Sequence, residues 1–259
     1  MKVTILGCGG SLGVPMVGNQ WGTVDRSNPK NRRRRPSILV EVGEARLLVD
    51  TGPDLRQQLL DANVESLDAV LYTHMHADHV AGLDDLRALT WKKQEPIHAF
   101  ADAPTAAELA ERFAYAVAGV RYDRGLYFPI IDLRTIEPGR MTFEGVPNGT
   151  SVQAFAQNHG AGFSMGYRFG DVAYSTDVSG LDDEAWRALE GTKIWIVDAT
   201  RREPHPSHTH LDQTLEWIER LAPERAILTH MNHTMDYADL KANLPAGVEP
   251  AYDGLVIEL

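Results

Sequence analysis

A chain of 259 residues, 43% of them hydrophobic and five of them tryptophan, can bury a sizeable core as one α/β domain. One cysteine, Cys8, excludes an internal disulfide and any thiolate cage, which fits a reducing compartment. The net charge of −11 argues against long nucleic acid as a partner, and no apolar run suits a signal peptide or a bilayer span. A cytoplasmic protein is expected.

Residues 2–6 predict a strand that runs into Gly7-Cys8-Gly9-Gly10-Ser11-Leu12-Gly13. A dinucleotide-binding Gly-x-Gly-x-x-Gly would need glycine at Leu12, so these glycines are read as tight turns near a site. Residues 1–36 hold seven basic side chains against Asp25 alone. The run Arg32 to Arg35 is either a solvated loop or a means of steering a small phosphate, with Arg33 and Arg35 the candidate contacts. Residues 37–42 and 46–49 form a hairpin ending in Asp50-Thr51-Gly52-Pro53-Asp54, and a helix follows over 55–62.

The strand expected over 67–71 leads into Tyr72-Thr73-His74-Met75-His76-Ala77-Asp78-His79, with a helix opening from Val80. Three histidines and a carboxylate thus sit on one strand-to-helix turn. In extended backbone His74 and His76 point to the same side and can reach one ion, while Asp78 and His79 turn toward a second. Imidazole and carboxylate without thiolate suit zinc, manganese or iron.

Beyond that turn, residues 97–101 predict a strand and Pro104 opens a helix. Residues 115–129 are aromatic without a period and read as packing or as a lid. Strands are expected over 152–155, 163–169, 172–175, 193–197 and 225–228, with helices over 182–189 and 211–221. His159, Asp177 and His230, like His74, each follow such a strand, so all four can gather on one edge. The simplest partition gives His74, His76 and His159 to one ion and Asp78, His79 and His230 to the other, bridged by Asp177. Two ions about 3.5–4 Å apart can share a hydroxide and clamp a displacement reaction.

His-x-His-x-Asp-His with the later His159, Asp177 and His230 and the early Asp50 resembles the metallo-β-lactamase superfamily, an αββα sandwich of metallohydrolases. Within it the sequence most resembles the PhnP-like cyclic phosphate diesterases, themselves similar to tRNase Z, through Leu6-Gly7-Cys8-Gly9-Gly10-Ser11, Asp50-Thr51-Gly52-Pro53-Asp54, residues 79–87 and Ala251-Tyr252-Asp253-Gly254. The resemblance implies two mixed β-sheets packed face to face with helices outside, in a single domain over 1–259. It also implies a general-acid histidine before the penultimate helix. His208 matches that position, with His210 an off-register competitor and the role of His205 open. Such relatives carry three cysteines near residue 20 that hold a structural zinc with a histidine like His233. Gly18 to Asp25 contains none, so that station is absent and His233 is expected at the surface or the site edge.

The expected reaction is hydrolysis of a small phosphodiester, linear or cyclic, by a hydroxide bridging two zinc or manganese ions. Asp78 orients that hydroxide as well as binding metal, His208 protonates the leaving oxygen, and Asp50 supports a ligand histidine. Asp198, at another strand end, either does likewise or serves packing. Expected partners are the small substrate and a second copy in a homodimer, without membrane or long nucleic acid. Rival readings are a tRNase Z-like nuclease, a lactonase or thioesterase, and a metal-binding accessory protein without turnover.

Overall fold

The computed structural model describes residues 1–122, 125–142 and 151–259. Two seven-stranded mixed sheets dominate it. The first runs Val256–Glu258, Lys2–Gly7, Ser37–Val42, Ala45–Val49, Ala69–Leu71, Ile97–Ala101, Ile131–Thr135 in spatial order. Its first three pairings are antiparallel and its last three parallel. The second runs Val248–Pro250, Arg225–Thr229, Ile194–Asp198, Val172–Ser175, Gly162–Phe169, Ser151–His159, Gly139–Thr142. There the parallel pairings come first and the antiparallel ones last.

Period-two alternation decides which side chains meet. Val3, Ile5, Ile38, Val40, Leu47, Val49 and Leu71 share one buried cluster with Tyr167, Phe169, Ile196 and Leu228 of the opposite sheet. The intervening Leu39, Leu48 and Val70 instead join Leu55, Leu59, Leu83 and Leu109 beneath the outer helices. Each such side chain contributes roughly 1.5–3 kcal/mol by leaving water. On the other flank, the helix Leu211–Leu221 buries Leu211, Thr214 and Ile218, spaced for one face.

The parallel halves fix where function can sit. Side by side, Ala45–Val49 and Ala69–Leu71 release Asp50 and the histidine turn at the same edge. In the second sheet Val172–Ser175, Ile194–Asp198 and Arg225–Thr229 likewise release Asp177, Thr200 and His230 together. Carboxyl ends of parallel strands are where ligands bind in such sheets. The two edges are joined backbone to backbone: Met165 N donates to Thr73 O at 2.8 Å, and Met231 N to Cys8 O at 2.9 Å. Among the described residues no helix is long and apolar enough to cross a membrane.

The helix expected from Val80 is broken into Ala77–Val80, a 3-10 turn Leu83–Leu86, and Arg87–Lys93. Gly82 is the cause: a Cβ there would lie 2.1 Å from Gly52 O, so the chain is pinched onto the loop after Asp50. Strands Ile131–Thr135, Gly139–Thr142, Val248–Pro250 and Val256–Glu258 and the helix Tyr237–Asn243 have no counterpart in the sequence-based assignment. All four strands are short and lie at or beside a sheet edge, where alternation is weak. Within 115–129, Ala116 packs into the core; the lid alternative falls partly on residues outside those described.

Candidate metal centre

Left-handed backbone sets the aim of three site residues. Asp50, Asp177 and His230 have φ of 64°, 53° and 57°. Such angles are costly outside glycine and concentrate at functional sites. Each ends a run of extended chain, and the reversed backbone swings the side chain into the seam between the sheets. The histidine turn is seated from behind. Thr51 N donates to His79 O at 2.7 Å, and a Cβ on Gly52 would meet Asp78 O at 2.2 Å.

Beside a third group of Asp198, His208 and His230, two donor sets share Asp177. His74, His76, His159 and Asp177 form one, and Asp78, His79, Asp177 and His230 the other, the ligand atoms of each lying within 4.8 Å of one another. Asp177 belongs to both. Its Oδ1 lies 3.8 Å from His74 Nε2 and 3.7 Å from His159 Nε2, while its Oδ2 lies 3.1 Å from His79 Nε2 and 3.4 Å from His230 Nε2. Asp78 Oδ2 stands 3.3 Å from His79 Nε2 and 3.7 Å from His230 Nε2. Ligand bonds of 2.0–2.2 Å in a tetrahedron imply ligand–ligand edges of about 3.4 Å. The observed spacings bracket that edge.

The polar accounting agrees. His74 Nε2, His79 Nε2, His230 Nε2, Asp78 Oδ2 and Asp177 Oδ1 are buried without a hydrogen-bond partner. Five such atoms aimed at one another are costly unless something satisfies them, and a cation is the species these donors fit.

Four of the five rings, those of His74, His79, His159 and His230, are fixed from the far side, as ligand histidines require. His79 Nδ1 lies 2.7 Å from Asp50 Oδ2, and Asp50 also accepts from Thr73 N and Thr73 Oγ1, both at 2.8 Å. Thr73 Oγ1 in turn meets His74 Nδ1 at 3.0 Å. His159 Nδ1 donates to Ser207 O at 2.6 Å, and Thr200 Oγ1 stands 3.3 Å from His230 Nδ1.

Charge follows from this packing. Burial opposes the charged form of His79, but Asp177, Asp78 and Asp50 outweigh it and hold its pKa well above the ordinary value. Burial likewise opposes His230, which Asp177 and Asp198 bring up to about 9. His74 and His159 shift the other way, chiefly through burial. Asp78 and Asp177 stay below the carboxylate range despite burial, because His79 faces the first and His230 and His79 the second. Full burial raises Asp50, with His79 pulling against it.

His208 stands next to the second set. Its Nδ1 is 3.1 Å from Asp198 Oδ2, and its ring stacks on His230 with centroids 5.0 Å apart. The other oxygen of Asp198 accepts from Thr200 Oγ1 at 2.7 Å, so Asp198 faces the site rather than serving packing alone. His210 begins the helix Leu211–Leu221 and belongs to neither donor set. A cavity of about 290 Å³ opens beside His208 and His230, lined also by Gly10 to Gly13, Thr200, Arg201, His205, Asn232 and His233. His233 therefore lies at the site edge.

The expected phosphate contacts through Arg33 and Arg35 need correction. Arg33 is buried at 2% exposure, and its terminal nitrogens donate to Asn232 O, Asn31 Oδ1 and Met235 O. Arg35 is ion-paired with Asp54 at 3.0 Å. Neither lines the cavity. A charge run does not say which of its members turn inward. Sequence reasoning missed Thr73, Thr200, Ser207 and Arg201; the first two adjoin strand ends, which is the signal that could have found them.

Against this geometry, a family model described as "Beta-lactamase superfamily domain" matches residues 45–231. A solved structure described as a new diphosphatase from the PhnP family is 33% identical, covers 100% of this chain and 97% of that one, and superposes with a TM-score of 0.88. An octanoyltransferase of Porphyromonas gingivalis is 32% identical over 98% of this chain and 51% of its own length. A ribonuclease Z of Bradyrhizobium sp. (strain ORS 278) is 30% identical over 55% of this chain and 46% of its own length. The chain thus spans about half the length of the curated relatives it matches.

Proposed function

The chain belongs to the β-lactamase superfamily, and from that membership we infer that it is a two-metal hydrolase of small phosphodiesters or diphosphates. The observation that carries this reading is Asp177, which turns one oxygen to each donor set. When bound, two divalent ions supply the charge that acidifies a water and neutralises phosphoryl oxygens. His74, His76, His159 and Asp177 would hold one, and Asp78, His79, His230 and Asp177 the other.

The chain's own groups divide the remaining work. Asp50 and Thr73 keep His79 and His74 in register, so the donors stand preorganised. Asp78 offers a carboxylate beside the attacking water. With His208 Nδ1 turned to Asp198 Oδ2 at 3.1 Å, Nε2 is the nitrogen left to give a proton to the leaving oxygen. The likeness to a PhnP-family diphosphatase over the full chain supports phosphoryl over other substrates.

A second reading, acyl ester or thioester hydrolysis, is favoured by the octanoyltransferase likeness, whose name belongs to a protein about twice as long. One panel separates them: linear and cyclic phosphodiesters, a diphosphate and an octanoyl thioester, each with zinc and with manganese. Phosphoester or diphosphate turnover is expected. His208→Ala should slow alkoxide-releasing esters by about 10²–10⁴-fold and a nitrophenyl ester far less. Turnover of the thioester alone would overturn the phosphoryl reading, and equal losses on both phosphoesters would remove the acid from His208.

A further inference from the structure

A larger cavity lies away from the metal centre, where the helix Asp183–Leu189 crosses the last three strands of the second sheet. It encloses about 730 Å³, a size that suits a small organic molecule. Gln153 lines it, and the metal donor His159 lies six residues further along the same strand, about 20 Å away in extended backbone. No lining residue belongs to a metal-holding group among the described residues. A ligand here would be held without being cleaved.

Strand register builds one wall. Arg140 pairs with Gln153, and Gln153 with Arg168, so the three side chains form a row on one face. Two strand spacings, about 10 Å, separate the arginines. Neutral oxygens hold them in place. Arg140 Nε donates to Ser151 Oγ at 2.7 Å, and Arg168 Nε donates to Gly170 O at 2.7 Å. Arg168 Nη1 donates to Ala188 O at 3.0 Å and also to Glu190 O. Such bonds aim a guanidinium without cancelling its charge. Nearby ion pairs involve other residues, Arg187 with Glu184 at 3.8 Å and Lys193 with Asp171 at 2.7 Å. Neither arginine of the row joins one among the described residues, although the chain has 36 acidic side chains against 25 basic ones. Gln153 between them is neutral, so both charges act on the same space.

The helix supplies the other wall. Asp182 Oδ1 accepts from Ala185 N at 2.8 Å as the helix cap, which leaves Oδ2 as an acceptor. Glu184 is turned to Arg187. The cavity thus offers two oriented cations on one side and a hydrogen-bond acceptor on the other, with room for more than a single ion.

We propose that this cavity is a second binding site, for a phosphorylated sugar. Its phosphate sits between Arg140 and Arg168, where guanidinium groups match phosphate oxygens, and its hydroxyls donate to Asp182. The site is independent of the metal centre and stands whether or not the phosphoryl-hydrolase reading holds.

The test titrates the metal-loaded protein with glucose 6-phosphate by calorimetry, with glucose as the uncharged control. Glucose 6-phosphate should bind saturably and glucose should not. Arg140 is exposed and bonded only to Ser151, so Arg140→Gln should fold with an unchanged Tm. It should weaken this binding about 10- to 100-fold, the scale of a charged hydrogen bond, and Arg140→Lys should recover part of it. Turnover of bis(4-nitrophenyl) phosphate should be the same in Arg140→Gln as in the native protein. Asp177→Ala, which breaks the metal centre, should still bind one glucose 6-phosphate per chain. Loss of all binding in Asp177→Ala would place the probe at the ions and overturn the proposal. Unchanged affinity in Arg140→Gln, or equal binding of glucose, would overturn it as well. A fall in Tm or turnover alongside the lost affinity would make Arg140 structural, with the same result.

Discussion

Two buried polar regions flank the N-terminal loop, and they differ in where their lone pairs go. Around Asn31, the protein closes its own network. Asn31 Nδ2 donates to Asp25 O and Asp236 Oδ2, its Oδ1 accepts from Arg33 and Tyr237 N, and Asp236 Oδ1 takes Ala238 N and Asp239 N. Only Arg33 Nε is left over there. At the metal centre five atoms remain open and face one another. Burial alone therefore does not mark a ligand site; convergence of unmet donors does. Beside the closed region, Gly22 packs against His233, and Thr23 N donates to His233 O at 3.0 Å.

Breaking the open region should change metal content first. Asp177→Ala removes the residue common to both donor sets. The native protein should take up two ions and gain roughly 3 kcal/mol per ion at a hundredfold excess over Kd, a rise in Tm of about 6–12 °C for each ion. The variant should lose at least one ion by elemental analysis, together with that rise and nearly all turnover. Two ions retained with full thermal response would remove Asp177 from the bridging position.

A smaller effect is expected one layer back. Asp50→Asn keeps the shape but not the charge behind His79 Nδ1, and should weaken metal binding about 10- to 100-fold. Competition with a chromogenic chelator would measure it. Unchanged affinity would make Asp50 a purely structural carboxylate.

The closed region should respond oppositely. Asn31→Ala strands Asp236 and Arg33, a loss of roughly 2–3 kcal/mol that would lower Tm by about 5–10 °C. Ion content should remain at two. If that variant shed an ion, the two regions would not be independent.

What the sequence revealed follows the same line. The histidine turn was legible because four donors lie within six residues, and the αββα architecture through the family resemblance that this turn carries. His159, Asp177 and His230 were legible only through their shared place at strand ends. The left-handed backbone that aims two of them leaves only a faint sequence mark: aspartate and histidine are enriched there among non-glycine residues, yet most of either type lie elsewhere. Arg33 and Arg35 were misread because identical neighbours in a run face different ways once folded. Arg201 and Ser207 went unseen because their use depends on a loop with no period.

The provenance of the ligands carries a mechanical consequence. His74, His76, Asp78 and His79 belong to the first sheet, whereas His159, Asp177 and His230 belong to the second. Ions seated there would act as rivets across a seam otherwise held at that edge by main-chain bonds such as Met165 N to Thr73 O. Metal supply would then govern endurance as well as turnover: a molecule starved of ions is expected to gape at this edge more often, and proteolysis would sample the gaping form.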